Sequence, residues 1–174
     1  MPRQLYMIRS ADPSEFGEIG RLMVSVYSQL DGFPKESEQP EYFRSLANVG
    51  AFTQKPDTTL LVAVSPENQI AGALVYFDNM MFYGSGGTAV KEKNASGFRL
   101  LAVDPSSQGQ GIGRMLAEEC VKRARQKKHQ YLIIHTTKTM QTAWHMYEKM
   151  GFKRSADLDF KQNNFTVFGF RLQL

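Results

Sequence analysis

The chain has 174 residues, 42% apolar and 22% charged, with a formal net charge of +4 and one cysteine. This balance fits a single globular domain over residues 1–174 and excludes low-complexity, repeat and disulfide-stapled architectures. No apolar run is long enough to span a membrane, no N-terminal stretch reads as a secretory signal, and the positive charge is too mild to imply nucleic acid. A soluble, cytoplasmic protein is expected. In chain order, residues 4–9 predict an opening strand. Asp12-Pro13-Ser14-Glu15 then reads as a helix start, with an acid at the cap, proline at the first helical position and an acid three residues after the cap. Phe16, Ile19, Met23, Val26, Tyr27 and Leu30 follow at helical spacing and predict one buried face. A second, shorter helix is expected over residues 41–47. The β-rich runs 58–64 and 70–76 flank turn residues and predict a hairpin.

Residues 79–94 are glycine-rich and predict a mobile loop or hairpin tip. Residues 98–103 are short and largely apolar, as a strand buried on both faces would be. Residues 111–127 predict an amphipathic helix with Ile112, Met115, Leu116, Cys120 and Ala124 on one face. Cys120 is therefore expected to be a packed thiol. Glu118/Lys122 and Glu119/Arg123 are four apart on the other face and predict ion pairs. A strand over 131–135, a helix over 141–149 capped by Gly151, and two β-rich runs over 152–160 and 165–172 complete the chain. Helices lying between strands predict a mixed α/β sheet, and crossovers through the two C-terminal helices predict parallel neighbours. The three histidines lack metal-ligand spacing, and no metal site is expected.

The segment from Val103 to Arg114 joins the buried strand to the amphipathic helix. Gly109, Gly111 and Gly113 remove three Cβ atoms where a helix start leaves amides unpaired. An elongated anion such as a pyrophosphate can approach such amides, favoured by the helix dipole; the alternative is a tight connection that needs glycine for backbone reasons alone. A P-loop requires lysine and Ser/Thr after its last glycine, whereas Arg114-Met115 stand here. The dinucleotide fingerprint also fails, because its third small residue would fall on Arg114 or Leu116.

Val103-Asp104-Pro105, then Gln108-x-x-Gly111-x-Gly113 before an amphipathic helix, resembles the signature of the GNAT superfamily of N-acetyltransferases. Ala143-Trp144-His145-Met146-Tyr147-Glu148-Lys149-Met150-Gly151-Phe152 is similar to that family's second segment, at the right distance. The resemblance implies an α/β (α+β mixed) fold: one domain with a central, mostly antiparallel twisted sheet, a splayed parallel pair of central strands and about four flanking helices. It implies acetyl-CoA as acyl donor and a primary amine as acceptor. The amides of Gln108, Gly109, Gln110, Gly111, Ile112 and Gly113 would meet the phosphates, and the backbone of Leu101, Ala102 and Val103 would meet the pantetheine arm. Arg114 would either add a phosphate contact or remain a solvated first-turn arginine. Tyr147 occupies the position of the family's general acid, although in isolation it would read as a packing tyrosine.

Two departures accompany the resemblance. Met140 stands where many relatives carry a cofactor-contacting asparagine, and the strand residues 97–100 carry no glutamate base. His135, Glu92 and Asp78 are candidate bases, and none is assigned. The acceptor site is expected between the first helices and the loop after Tyr76, where Tyr27, Phe33, Tyr42, Phe77, Phe82 and Tyr83 make the chain aromatic-rich. A homodimer is compatible with this reading. A CoA-binding regulatory module without turnover remains the alternative, and a nucleic-acid binder built on the basic helix is disfavoured.

Overall fold

The computed structural model describes residues 5–162 and 164–174. Gln4, the start of the predicted opening strand, lies outside them; β1 is Met7–Ser10. The predicted helix start is present as a capping box: Asp12 accepts from the Ser14 amide, and Glu15 reaches back to the Asp12 amide. A short 3-10 turn over Pro13–Glu15 leads straight into α1, Phe16–Ser28. Ile19, Met23 and Tyr27 form its buried face, as their spacing predicts. The helix α2, Pro40–Ala47, crosses α1 closely at Gly20, where a Cβ would come within 2.1 Å of the Ala47 carbonyl oxygen.

The predicted hairpin is β2, Thr58–Val64, antiparallel to β3, Ile70–Phe77. The glycine-rich segment after it, expected as a mobile loop or a hairpin tip, connects two antiparallel neighbouring strands, as a hairpin tip does, and carries structure of its own. It forms two 3-10 turns, Met80–Phe82 and Ala89–Lys91, and buries Met80, Tyr83 and Ala89 almost completely. Those three side chains join the core, and their burial offsets the cost of ordering the glycines. The central strand β4, Ala95–Val103, runs into α3, Ile112–Gln126, and then β5, Tyr131–Thr136. Helix α4, Gln141–Met150, ends at Gly151 in the left-handed region (φ 100°), where the C-terminal cap was expected.

Beyond α4 the sequence overstates the strand. Residues 152–160 form only a two-residue β6, Lys153–Arg154, a 3-10 turn at Ala156–Leu158 and the start of β7, Phe160–Gln162. Leu158 there is fully buried, packed where Gly169 of β8, Phe165–Gln173, leaves room. The eight-stranded sheet has the order β1-β2-β3-β4-β5-β8-β6, with β7 paired to β8. Crossover through α3 makes β4 and β5 parallel, as predicted. Crossover through α4 does not produce a second parallel pair, because β8 inserts antiparallel between β5 and β6.

Helices cover both faces of the sheet. Side chains of α1 and α2 pack on Val62, Val75, Leu100 and Ala102, while α3 and α4 pack on Leu61, Leu74, Phe98 and Ile134. This two-sided burial explains the near-continuous apolar runs of β2 to β4. Cys120 is fully buried on α3, and burial pushes its thiol well above the usual range, so it is a packed thiol. Of the predicted ion pairs on α3, Arg123–Glu119 forms at 3.1 Å, whereas Glu118 pairs with Arg114.

Candidate active site

The sheet opens at its centre. β4 and β5 pair only at Ala95–Tyr131, Ser96–Leu132 and Gly97–Ile133. Past Gly97, β4 stays with β3 and β5 stays with β8, so the two strands part toward their C-terminal ends. Ligands in open sheets with parallel strands settle at such carboxyl ends.

A bulge shapes the opened edge. The register between β3 and β4 shifts between Ala73 and Val75, and Leu100 takes a positive φ of 61°. A bulky residue seldom adopts this conformation, and such strain concentrates at functional sites. The extra residue puts Arg99 and Leu100 both on the wall of one cavity instead of on opposite faces. After the bulge, Ala102 lies opposite Ala73 and the Asp104 amide donates to the Ala71 carbonyl at 2.8 Å. By the two-residue alternation of a strand, Leu101 and Val103 then direct their backbone groups into the cleft. Ala102 directs its own toward β3, so the three predicted strand residues are not equivalent. The Tyr27 hydroxyl donates to the Leu101 carbonyl at 3.3 Å, and the same alternation turns the Leu101 amide toward the cleft.

The glycine turn sits at the mouth of this cleft. Gly109 and Gly111 have φ of 82° and 78°, and a Cβ on either would meet nothing within 4 Å. Gly111 caps α3 with no side-chain hydrogen bond, and the first bond into the helix is Met115 N to Gly111 O, 3.0 Å. The amides from Gly109 through Arg114 therefore have no acceptor among the described residues. They face open space at the positive end of a long helix. Gln108 forms the C-cap of the preceding 3-10 turn. The Gln110 side chain accepts a 2.7 Å bond from the Tyr6 hydroxyl, which ties the turn to the chain before β1. A Cβ on Gly113 would lie 3.6 Å from Leu101 Cδ2 and Met146 Sδ, so turn, β4 and α4 meet there. Arg114 is half-exposed and lies along the helix toward Glu118, at 2.8 Å, rather than over the turn.

Tyr147 comes from α4 to the point where the strands part. Its ring packs edge-on against Phe98, 5.9 Å between centroids, and against Phe152, 5.6 Å. The side chain is 4% exposed, yet its hydroxyl has no protein partner among the described residues and is not sealed like the orphaned Ser96 Oγ. Burial pushes the phenol well above its usual range, so at neutral pH it holds its proton.

The family pattern described as "Acetyltransferase (GNAT) family" matches residues 16–152, well over half of the chain. The chain belongs to the GNAT acetyltransferase family. Solved structures support the fold of this acetyltransferase along its whole length. A GNAT-family acetyltransferase from Staphylococcus aureus Mu50 superposes with a TM-score of 0.73 at 15% identity, covering 97% of this chain and 99% of that one. YncA, a putative acetyltransferase from Salmonella typhimurium solved with its cofactor acetyl-CoA, gives 0.68 at 17% identity, covering 97% and 93%. The PaiA N-acetyltransferase from Thermoplasma acidophilum, in complex with coenzyme A, gives 0.71 at 13% identity, covering 95% and 98%. Among curated proteins, no sequence matches the chain significantly.

On the α1–α2 side the cleft of this acetyltransferase widens into a cavity of about 600 Å³. Tyr27, Phe33 and Tyr42 wall it, with mutual ring distances of 5.6 to 6.1 Å. Phe77 and Tyr83, expected beside them, are fully buried instead. Burial pushes the Tyr42 phenol up to about 12, so this wall is neutral. Met140, at the position of the family's asparagine, lines the same cavity and receives a weak 3.6 Å contact from the Thr136 hydroxyl.

The candidate bases are all engaged. Asp78 accepts from the Tyr76 hydroxyl and contacts His129 Nε2 at 3.0 Å; Glu92 pairs with Arg171. His135 lines the cavity, but its Nε2 donates to the Leu158 carbonyl at 2.8 Å, so Nδ1 accepts from the Tyr83 hydroxyl at 2.9 Å. Neither ring nitrogen is left to take a proton from an amine. Burial foremost, with the nearby Arg99 charge, lowers the pKa of His135. A lowered folded-state pKa means that the unfolded chain binds the proton more readily, so this contribution to stability falls as pH drops below about 6.5. The melting temperature is expected to fall between about pH 7.5 and about pH 5.5. A His135→Gln protein, which keeps a donor and an acceptor, should show a flatter profile. Parallel profiles for the two proteins would remove His135 as the titrating group.

Among the described residues, no group of three His, Cys, Asp or Glu side chains is poised for a metal, and no helix is long and apolar enough to cross a membrane.

Proposed function

We propose that this protein transfers an acetyl group from acetyl-CoA to a primary amine by direct attack of the amine on the thioester. The observation that carries this reading is the run of unpaired amides from Gly109 to Arg114, opening onto the unpaired edge of β4. That surface suits a ligand with a pyrophosphate at one end and amide groups along its arm. The glycine turn receives the phosphates, and the edge of β4 at Val103 receives the pantetheine amides as a strand edge receives a peptide, which leaves the Leu101 amide to the thioester. Acetyl-CoA supplies an activated acyl group with a leaving sulfur. In the transfer, the acceptor nitrogen bonds to the acetyl carbon, the carbon–sulfur bond breaks, the sulfur gains a proton and the nitrogen loses one.

The chain's own groups meet these needs. The Leu101 amide, free in the cleft, can donate to the thioester oxygen as charge develops on it. Tyr147 holds a proton on an unpartnered hydroxyl beside the parting of the strands, where the departing sulfur needs one. Holding both reactants in one cleft lowers the barrier further, by roughly 7–11 kcal/mol in well-oriented model systems. With His135, Glu92 and Asp78 engaged, water takes the proton from the amine. An amine panel incubated with acetyl-CoA, read by thiol release and product mass, tests the reading. Thiol release with an N-acetylated product supports it. Tight CoA binding without release from any amine would make the protein a CoA-binding module instead.

A further inference from the structure

Arg99 is the one charge in the apolar core of β4, and the bulge at Leu100 turns it onto the cavity wall. Its half-buried guanidinium lies over the rings of Phe52 and Tyr83, at 5.9 and 5.8 Å, and Nη1 donates to the Tyr83 carbonyl at 2.9 Å. Among the described residues no carboxylate pairs with it and its other N–H groups have no acceptor. The remaining charged lining residues, Lys35 and Glu38, sit at the mouth: Lys35 Nζ donates to the Ser28 and Leu30 carbonyls, and Glu38 accepts from the Lys35 amide. The mouth is thus balanced, and the inner wall carries one uncompensated positive charge.

Such a wall repels a bare ammonium group and disfavours polycations most. An uncompensated, ring-clamped guanidinium with free N–H groups is complementary to a planar acid, which it binds by charge-assisted and often bidentate hydrogen bonds. Arg99 stands two residues from Leu101, across the bulge, so an acid on Arg99 leaves the same molecule's amine close to the thioester position.

We propose that the acceptor is a small aminocarboxylic acid whose carboxylate is received by Arg99 while its amine faces the acetyl group. The proposal rests on the acetyltransferase reading for its amine, but the carboxylate site stands on the cavity alone. Calorimetric titration of the CoA-loaded protein with the standard L-amino acids, β-alanine and 4-aminobutyrate, each against its amide, measures the site without turnover. At least one acid is expected to bind roughly tenfold or more tightly than its amide. Arg99→Gln should erase that preference while CoA affinity is retained, and Arg99→Lys, which keeps the charge but not the fork, should restore part of it. No binding of any acid, equal binding of acids and amides, or a preference that survives in Arg99→Gln would overturn the proposal. Thiol release measured in parallel separates the two readings. Arg99-dependent acid binding without release supports the carboxylate site and defeats the transferase, whereas release with amides or plain amines but not acids does the reverse.

Discussion

The Gly111→Asp protein is expected to fold and to lose coenzyme A binding. A Cβ at this position meets nothing within 4 Å, and Asp is among the residues that tolerate a φ of 78°, so the fold is not threatened. Left-handed backbone still costs about 1–2 kcal/mol for a residue with a Cβ. The larger effect is electrostatic, because the carboxylate lies among the amides proposed to receive the phosphates. At about 4 Å and an effective dielectric of about 20, two unit charges repel by about 4 kcal/mol. Since every 1.4 kcal/mol is about tenfold in affinity, this repulsion alone should cost at least about 100-fold, whereas the backbone cost falls on stability because the turn already holds this φ without ligand. Gly111→Asn, similar in shape, tolerant of the left-handed region and neutral, carries the same backbone cost in stability without the charge and should lose about tenfold or less in affinity, from the bulk of its side chain alone. Calorimetry with coenzyme A, beside a melting curve for each variant, reads both. Retained binding in a folded Gly111→Asp protein would remove the turn as the phosphate cradle.

Tyr147→Phe is expected to lower kcat by about 100-fold or more, within the usual range for loss of a general acid, with little change in coenzyme A affinity. The substitution keeps the edge-on contacts to Phe98 and Phe152 and removes no protein hydrogen bond, so stability should be nearly unchanged. The phenol holds its proton because burial raises its pKa, and the decline of activity at high pH should therefore not report this group until well into the alkaline range. Equal loss of affinity and turnover, or no loss at all, would return Tyr147 to a packing role.

The sequence by itself determined the local pieces. Capping chemistry at Asp12 and Glu15, helical spacing from Phe16 to Leu30 and turn chemistry around residues 65–69 all act over a few residues, so they could be read without the fold. The same holds for the glycine turn, where positive φ and a helix start are local properties of residues 109–112. The C-terminal region was less legible because its burial is not local. Leu158 is held by Gly169, eleven residues on, and β8 inserts between β5 and β6. Only the tertiary structure decided which groups stay free. It closed the Ala102 backbone against β3 and opened those of Leu101 and Val103. It tied both nitrogens of His135 and turned Arg114 away from the turn. Above all it bulged β4 at Leu100, a residue with no glycine-like licence for a φ of 61°, and so brought Arg99 into the cavity. The trace of this in sequence was a lone charge within an apolar strand. Its meaning came from neighbours far along the chain, because whether a charge is paired depends on what the fold places beside it.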